Sequence, residues 1–333
     1  MRLKKFFEAK AFLMTVALAL FACGFTACSS DDDGDGDGGG DGPGTPTLEA
    51  PAFESVSAKY EIEGDGSIKS IELTESGNYV IITDEYQSSY NDSYFAHTRA
   101  GGTSGVIFGK FIKISDTEFI LEGFGSIVIE GNTNSAFSLQ ISETGKEPYE
   151  VGAEKIEAES SDIMTKALCR TWDIDKVNMT LYVFGRKMYD RTLPASQYTE
   201  LWEGLIAKIK EIESEYEDEE DEEYYEEDDE YDEMIPKFNP EQIIFTKAGS
   251  YMTTYEDDQL AISTWTWTNS NQGVFRYSHN YDYINDPEYS NECNVSFDGK
   301  SMTLFEVNAH EYDEDEDLEV LKVTSRYFCS EAE

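Results

Sequence analysis

Ile243-Ile-Phe-Thr-Lys-Ala-Gly-Ser-Tyr251, then Ser263-Thr-Trp-Thr-Trp-Thr268 and Gly273-Val-Phe-Arg-Tyr-Ser278, decide the fold of this chain. In these segments large aromatic and aliphatic residues recur among small or polar ones, largely at a period of two. That is the pattern of strands with one buried face. Turns of Asn, Gln and Gly at 269–273 and at Asp298-Gly299 separate hairpin arms. Upstream, Leu168–Tyr182 opens with Trp172 on a strand that continues through Val177, Met179 and Leu181. Downstream, Cys293–Phe297, Ser301–Glu306 and Val320–Phe328 extend the series.

The same period runs through residues 48–155. Val56, Ala58, Tyr60 and Ile62 alternate with Ser57, Lys59, Glu61 and Glu63. Gly64-Asp-Gly66 turns toward Ile71 and Leu73, and Ser76-Gly77 turns toward the run Tyr79–Ile82. Strands resume at Val106–Ile114, Glu118–Leu121, Ser126–Glu130 and Ala136–Ile141. No helical periodicity interrupts them, so an antiparallel β-meander is expected, closed as a small barrel or stacked as a sandwich. The connection Asp84–Gly105 is long and carries Tyr86, Tyr90, Tyr94, Phe95 and His97, a composition suited to recognition or to a mere insertion.

The C-terminal half resembles the bacterial lipocalin-like family. The resemblance rests on Trp172 in the first strand, on Phe245, Gly249 and Tyr251 in a Phe-x-x-x-Gly-x-Tyr second strand, on Trp265 and Trp267 in the third, and on the late Arg326. Arg170 stands where the family usually has Gly. The resemblance implies a β-barrel over 156–333 and makes Arg326 the cross-barrel partner of Trp172, where a guanidinium can stack on the indole. Closing a barrel sets its first and last strands side by side, which also predicts a Cys169–Cys329 disulfide. Thr74, Gly77 and Tyr79 fall in register with Thr246, Gly249 and Tyr251, so the first domain reads as a diverged relative or as a chance match of two hairpins.

An insertion occupies 190–238. After Pro194, Ser196 is placed to cap a helix whose stripe is Leu201, Trp202, Leu205, Ile206, Ile209 and Ile212. It runs into residues 211–233, where 17 of 23 positions are Asp or Glu, interleaved with Tyr216, Tyr224, Tyr225 and Tyr231. So many adjacent like charges repel, and a disordered acidic loop is expected there. The fold class is therefore mainly β, with a β-meander domain, a lipocalin-like barrel and one inserted amphipathic helix.

The first 27 residues read as a lipoprotein signal peptide. Arg2, Lys4, Lys5 and Lys10 precede the apolar run Ala11–Ala22, which is too short to span a bilayer. Two cysteines compete for lipidation, Cys23 and Cys28. Cys28 is preferred because Thr26 and Ala27 precede it and Ser29-Ser-Asp-Asp-Asp33 follows it, which resembles the acidic export signal of Gram-negative surface lipoproteins. Residues 28–47 then form a lipidated Asp/Gly tether. Its D-x-D look is not a calcium loop. The twelfth positions counted from Asp31 and Asp33 are Gly42 and Gly44, not the required Glu.

Composition narrows the function. A net charge of −44 repels nucleic acid, which excludes it as a partner. No nucleophile elbow, HExxH, Walker loop or dinucleotide fingerprint occurs, and no Cys/His cluster calls for a metal. A non-enzymatic protein without cofactor is expected, held at the outer membrane and exposed on the surface of a Gram-negative cell by its lipid alone. The candidate ligand-binding residues are Trp265 and Trp267 on one strand face, and Phe275 and Tyr277 on the next. Pointing inward they line a cavity for a small apolar ligand or pack as core; pointing outward they make a platform for a glycan. The alternative function is a structural, assembly or adhesion subunit that docks a protein partner through acidic Tyr-rich segments.

Overall fold

A computed structural model gives the architecture. It describes residues 44, 46–64, 66–85, 96–97, 105–131, 136–156, 162–216, 235–278, 290–313 and 318–332. Cys23, Cys28, the Asp/Gly tether before residue 44, Tyr86, Tyr90, Tyr94, Phe95 and the acidic run after Tyr216 lie outside the described residues. The fold is mainly β and contains two closed eight-stranded barrels.

The first barrel is an up-and-down meander of β1 (Ala58–Ile62), β2 (Ile68–Leu73), β3 (Asn78–Thr83), β5 (Val106–Lys113), β6 (Glu118–Leu121), β7 (Gly125–Gly131), β8 (Ala136–Glu143) and β9 (Tyr149–Lys155), closed by β9 on β1. β4 (Ala96–His97) leaves this order and pairs with a strand of the second barrel. Ile71, Tyr79, Ile81, Phe119, Ile127 and Leu139 fill the interior. Tyr79 anchors this core by donating its hydroxyl to the Glu122 carbonyl at 2.7 Å.

A short helix, α1 (Ile163–Leu168), is capped by Asp162 Oδ1, which accepts the Thr165 N–H at 2.7 Å. It leads into β10 (Thr171–Val183) and β11 (Arg186–Pro194), a 3₁₀ turn at 195–197 and the long helix α2 (Tyr198–Tyr216). β12 (Pro240–Phe245), β13 (Ser250–Tyr255), β14 (Gln259–Asn269), β15 (Val274–Ser278), β16 (Asn291–Asp298), β17 (Ser301–Asp313) and β18 (Leu318–Glu331) complete the second barrel. One edge of β10 pairs with β18 over Trp172–Val183 and so closes the ring. The other edge takes β12 at Thr171–Asp173 and β11 at Lys176–Val183.

The helix expected after Pro194 forms, with Leu201, Leu205, Ile209 and Ile212 in the barrel core. Its N-terminal cap is not Ser196. Asn239 Oδ1 accepts the Thr199 N–H at 3.0 Å instead, because the 3₁₀ turn moves the helix start past Ser196. Gly204 is required by a close approach: a Cβ there would lie 2.7 Å from the Tyr189 hydroxyl, which donates to the Leu201 carbonyl at 3.1 Å.

The disulfide expectation fails. Cys169, Cys293 and Cys329 are buried free thiols. The first and last strands do lie side by side, but register sets Ile174 and not Cys169 opposite Cys329. Cys169 ends α1, before β10 begins.

The two barrels share a wall. Val80 and Val106 of the first pack on Ile244, Met252 and Leu260 of the second as one buried cluster. Around it, Asn78 Nδ2 donates to Thr171 Oγ1 at 3.4 Å, the Thr171 N–H to Ser76 Oγ at 2.8 Å, and Ser250 Oγ to Glu72 Oε2 at 2.6 Å. Lys247 pairs with Glu54 through its ammonium and donates its backbone N–H to Glu75 Oε1 at 3.1 Å.

The turns that meet at this wall are built alike. Gly77 N–H donates to the Thr74 carbonyl at 3.3 Å, and Gly249 N–H to that of Thr246 at 3.1 Å. Thr74 Oγ1 accepts the Asn78 N–H at 3.0 Å, as Thr246 Oγ1 accepts that of Ser250 at 3.0 Å. The following strand donates to each glycine carbonyl, Phe111 N–H at 2.9 Å and Trp265 N–H at 2.8 Å. Both glycines sit at positive φ, 85° and 84°, which explains their place in the signature.

Candidate functional site

The register of the second barrel turns Trp265, Trp267, Phe275 and Tyr277 inward, and it separates them into two layers. Trp172, Phe245, Trp265 and Phe275 are sealed from solvent. Phe245 stacks on Tyr251 at 4.7 Å and meets Phe275 and Trp265 edge-on at 5.3 and 5.5 Å. Trp172 Nε1 donates to the Leu168 carbonyl at 3.0 Å, Trp265 Nε1 to the Thr246 carbonyl at 3.1 Å, and Trp267 Nε1 to Thr165 Oγ1 at 2.8 Å. This end of the barrel is therefore packed core under α1. Trp265 and Phe275 hold it together, and Trp267 joins it to the helix.

Arg326 does not partner Trp172. Its Cα neighbours across the sheet are Asn178 and Phe305, so it points outward, exposed, with its guanidinium 5.5 Å from the Phe305 ring. Arg170 lies 5.8 Å from the Trp172 ring centroid instead. It is buried, donates to the carbonyls of Ala167 and Glu49 at 2.9 and 3.1 Å, and pairs with Glu331.

The other layer is polar. Glu306 projects from β17 on the same phase as Met302 and Leu304, so the alternation that buries those side chains buries a carboxylate as well. Tyr327 of β18 donates to Glu306 Oε1 at 3.0 Å, and the Cys293 thiol of β16 to Oε2 at 3.9 Å. Tyr277 of β15 also hydrogen-bonds to this carboxylate. The hydroxyls of Tyr198 and Tyr327 lie 3.2 Å apart, and since Tyr327 gives its proton to Glu306, Tyr198 donates in turn. Tyr251 sits 5.1 Å from the Tyr277 ring, and Tyr255 follows it on the same face of β13. A carboxylate is thus ringed by tyrosine hydroxyls from β13, β15, β18 and α2 and by a thiol from β16.

Glu306, Tyr255 and Tyr277 nevertheless keep part of their surface accessible, unlike the aromatic layer beneath them. Burial holds the Glu306 carboxyl above its usual range, partly offset by the bonds from Tyr327, Cys293 and Tyr277. Burial, then the Glu306 charge, pushes the Tyr251, Tyr277 and Cys293 groups well up. Burial also raises the Tyr198 hydroxyl to about 12. Cys293 therefore stays a thiol at neutral pH and offers no nucleophile.

Sequence reasoning found Tyr277 and missed Glu306, Tyr251, Tyr255 and Tyr327 as a group. The usable signal was the phase of Ser301–Glu306, where a glutamate falls on the apolar face of a strand. A separate recess of about 470 Å³ lies among Asp173, Glu241, Gln242, Asn239 and Glu256. Its Asp173 and Glu256 already accept from Gln242 at 2.7 Å and from Asn239 at 3.0 Å. Among the described residues no group of three or more His, Cys, Asp or Glu is placed to hold a metal, and no helix is long and apolar enough to cross a membrane.

No protein-family model matches the chain, and no curated protein matches it. Among solved structures it is similar to a double mutant of the vaccine antigen transferrin binding protein B from Haemophilus parasuis Hp5, at 7% identity and a TM-score of 0.21, over 80% of this chain and 54% of that one. A single mutant of the same antigen gives 6% identity and a TM-score of 0.19, over 84% of this chain and 64% of that one. The chain spans little more than half of the first structure's length, and a likeness this low carries no weight for ligand or partner.

Proposed function

We propose that this chain is a non-catalytic binding protein, tethered by lipidated Cys28 to the surface of a Gram-negative outer membrane, whose second barrel takes a small ligand in the polar layer around Glu306. The observation that carries this reading is the partial accessibility of Glu306, Tyr255 and Tyr277 inside a closed barrel. A barrel that served only as a spacer would fill that layer with apolar side chains and no carboxylate, as the first barrel does. The ligand is polar and not the apolar molecule that the Trp265 face suggested, because the Trp layer is already filled.

Titration with small polyols, oligosaccharides, fatty acids and amines, read by Trp fluorescence, tests this. A saturable response that Tyr277→Phe weakens by about tenfold is expected, since one buried hydrogen bond to a charged group is worth roughly that factor. Silence across the panel would sink the reading.

A second reading, docking of a protein partner, is favoured by the outer face of the first barrel. Ile112 stands opposite Ile120 in the sheet, with Ile114 next on the same face, and all three are exposed on a strongly acidic protein. Ile112→Ser with Ile120→Ser would abolish capture of such a partner without moving the fluorescence response.

A further inference from the structure

We infer that the partly accessible polar layer of the second barrel selects small organic cations, ligands that carry a primary or quaternary ammonium, with Glu306 as counter-ion and tyrosine rings around it. This deepens the reading of the barrel as a binding module and rests on it. Among the described inward-facing side chains of the barrel, Glu306 alone is charged, and no Lys, Arg or His pairs with it. Its bonds come from hydroxyls and a thiol, neutral donors that satisfy lone pairs without cancelling charge.

A carboxylate left in that state inside a barrel is costly, and a cation arriving beside it offsets the cost. The rings of Tyr251 and Tyr277 are packed edge to face at 5.1 Å, and Tyr198 and Tyr327 lie at 6.3 Å with their planes 39° apart. Tyrosine rings gathered at several angles close to one carboxylate are a setting that attracts an ammonium group. A divalent metal is a poor fit, because it needs several oxygen ligands of which more than one is anionic. A glycan fits less well than an amine, since nothing it offers would compensate the charge.

The experiment uses the chain with Thr253→Cys, an inward and half-buried position of β13, with the unmodified chain as background for the native buried thiols. Labelling rates are measured with a trimethylammonium-ethyl and a sulfonato-ethyl methanethiosulfonate. The cationic reagent is expected to react at least about tenfold faster, and Glu306→Gln to remove most of that preference. Should Glu306→Gln lose its near-ultraviolet circular dichroism, the parent alone decides. Choline must then slow labelling, while its uncharged isostere 3,3-dimethylbutan-1-ol must not. Equal rates for the two reagents, or equal protection by the two competitors, would overturn cation selectivity and leave the binding reading standing. No labelling by either reagent would show a closed layer and overturn both.

Discussion

At the scale of single residues, the shared wall holds an uncompensated charge. Glu75 and Glu72 are almost wholly buried, each with one oxygen, Glu75 Oε2 and Glu72 Oε1, that has no hydrogen-bond partner. Burial, with the neighbouring Glu72 adding to it, raises the Glu75 carboxyl from 4.5 to about 7, against the bonds from Lys247 N–H and Ser57 Oγ. The folded protein therefore keeps a proton on Glu75 that the unfolded chain releases. The stability this group contributes is complete below pH 4.5 and is lost as pH rises through about 7. The difference is on the order of 3 kcal/mol. Glu75→Gln keeps an acceptor for Lys247 and Ser57 and removes the charge. Its melting temperature should exceed that of the parent by several degrees at pH 8 and match it at pH 4. Thermal melts at the two pH values check this, and a loss of stability at pH 8 would refute the account.

Residue identities were also where the sequence misled. Arg170 looked like a departure from the family pattern, yet it is the cation beside Trp172 and it binds the carbonyl of Ala167 at the end of α1. Arg326 carried the expectation only because it lies late in the chain, and the parity of β18 turns it outward. Parity is invisible until the register is known, and the irregularity between Ile174 and Lys176 resets it. Glu306 was hidden for a different reason. One carboxylate among 69 acidic residues draws no notice unless its strand phase is followed.

At the scale of elements, what could be read was whatever had a buried face. β5 to β8 and the strands of the second barrel alternate, and so they were legible. β11 is exposed at most positions and binds β10 by one edge only, so it has no hydrophobic period to show. α1 is six residues long, less than two full turns, too short for a helical stripe. β9 alternates Tyr149, Val151 and Ala153 with polar or small residues, but its glycine and glutamates weaken the pattern. The cap of α2 came from Asn239, 40 residues from Thr199, and no local motif can announce that. Asn239 also donates to Glu256 at 3.0 Å, so it ties the helix start to the end of β13. Asn239→Ala should cost about 1–2 kcal/mol, the usual price of a lost cap plus the orphaned Glu256 bond. Ser196→Ala should cost nearly nothing. Urea unfolding of the two variants separates them, and equal effects would mean that Ser196 shares the cap.

At the scale of the whole molecule, the equivalent turns at 74–77 and 246–249 show why the internal echo between Thr74-x-x-Gly-x-Tyr79 and its counterpart exists. Each turn is built by the same three bonds, and each is then pressed against the other barrel. The two barrels should consequently melt as one unit. Val80, Val106, Ile244, Met252 and Leu260 lie on the outer faces of their barrels, yet none is more than 3% exposed. They owe that burial to the neighbouring barrel, so separating the barrels would return five large side chains to water, at roughly 1.5–3 kcal/mol each. The pairing of Ala96 and His97 with Leu260 and Gln259 adds backbone bonds to the same seam. Leu260→Asp places a charge at the centre of this cluster while leaving both interiors intact. Calorimetry should show the single transition of the parent divide into two, each barrel unfolding by itself. The division should be wider at pH 8 than at pH 5, because the Glu75 charge then acts against docking as well. A single transition that merely shifts downward would mean that one barrel cannot stand without the other, and that the wall is a shared core instead of an interface.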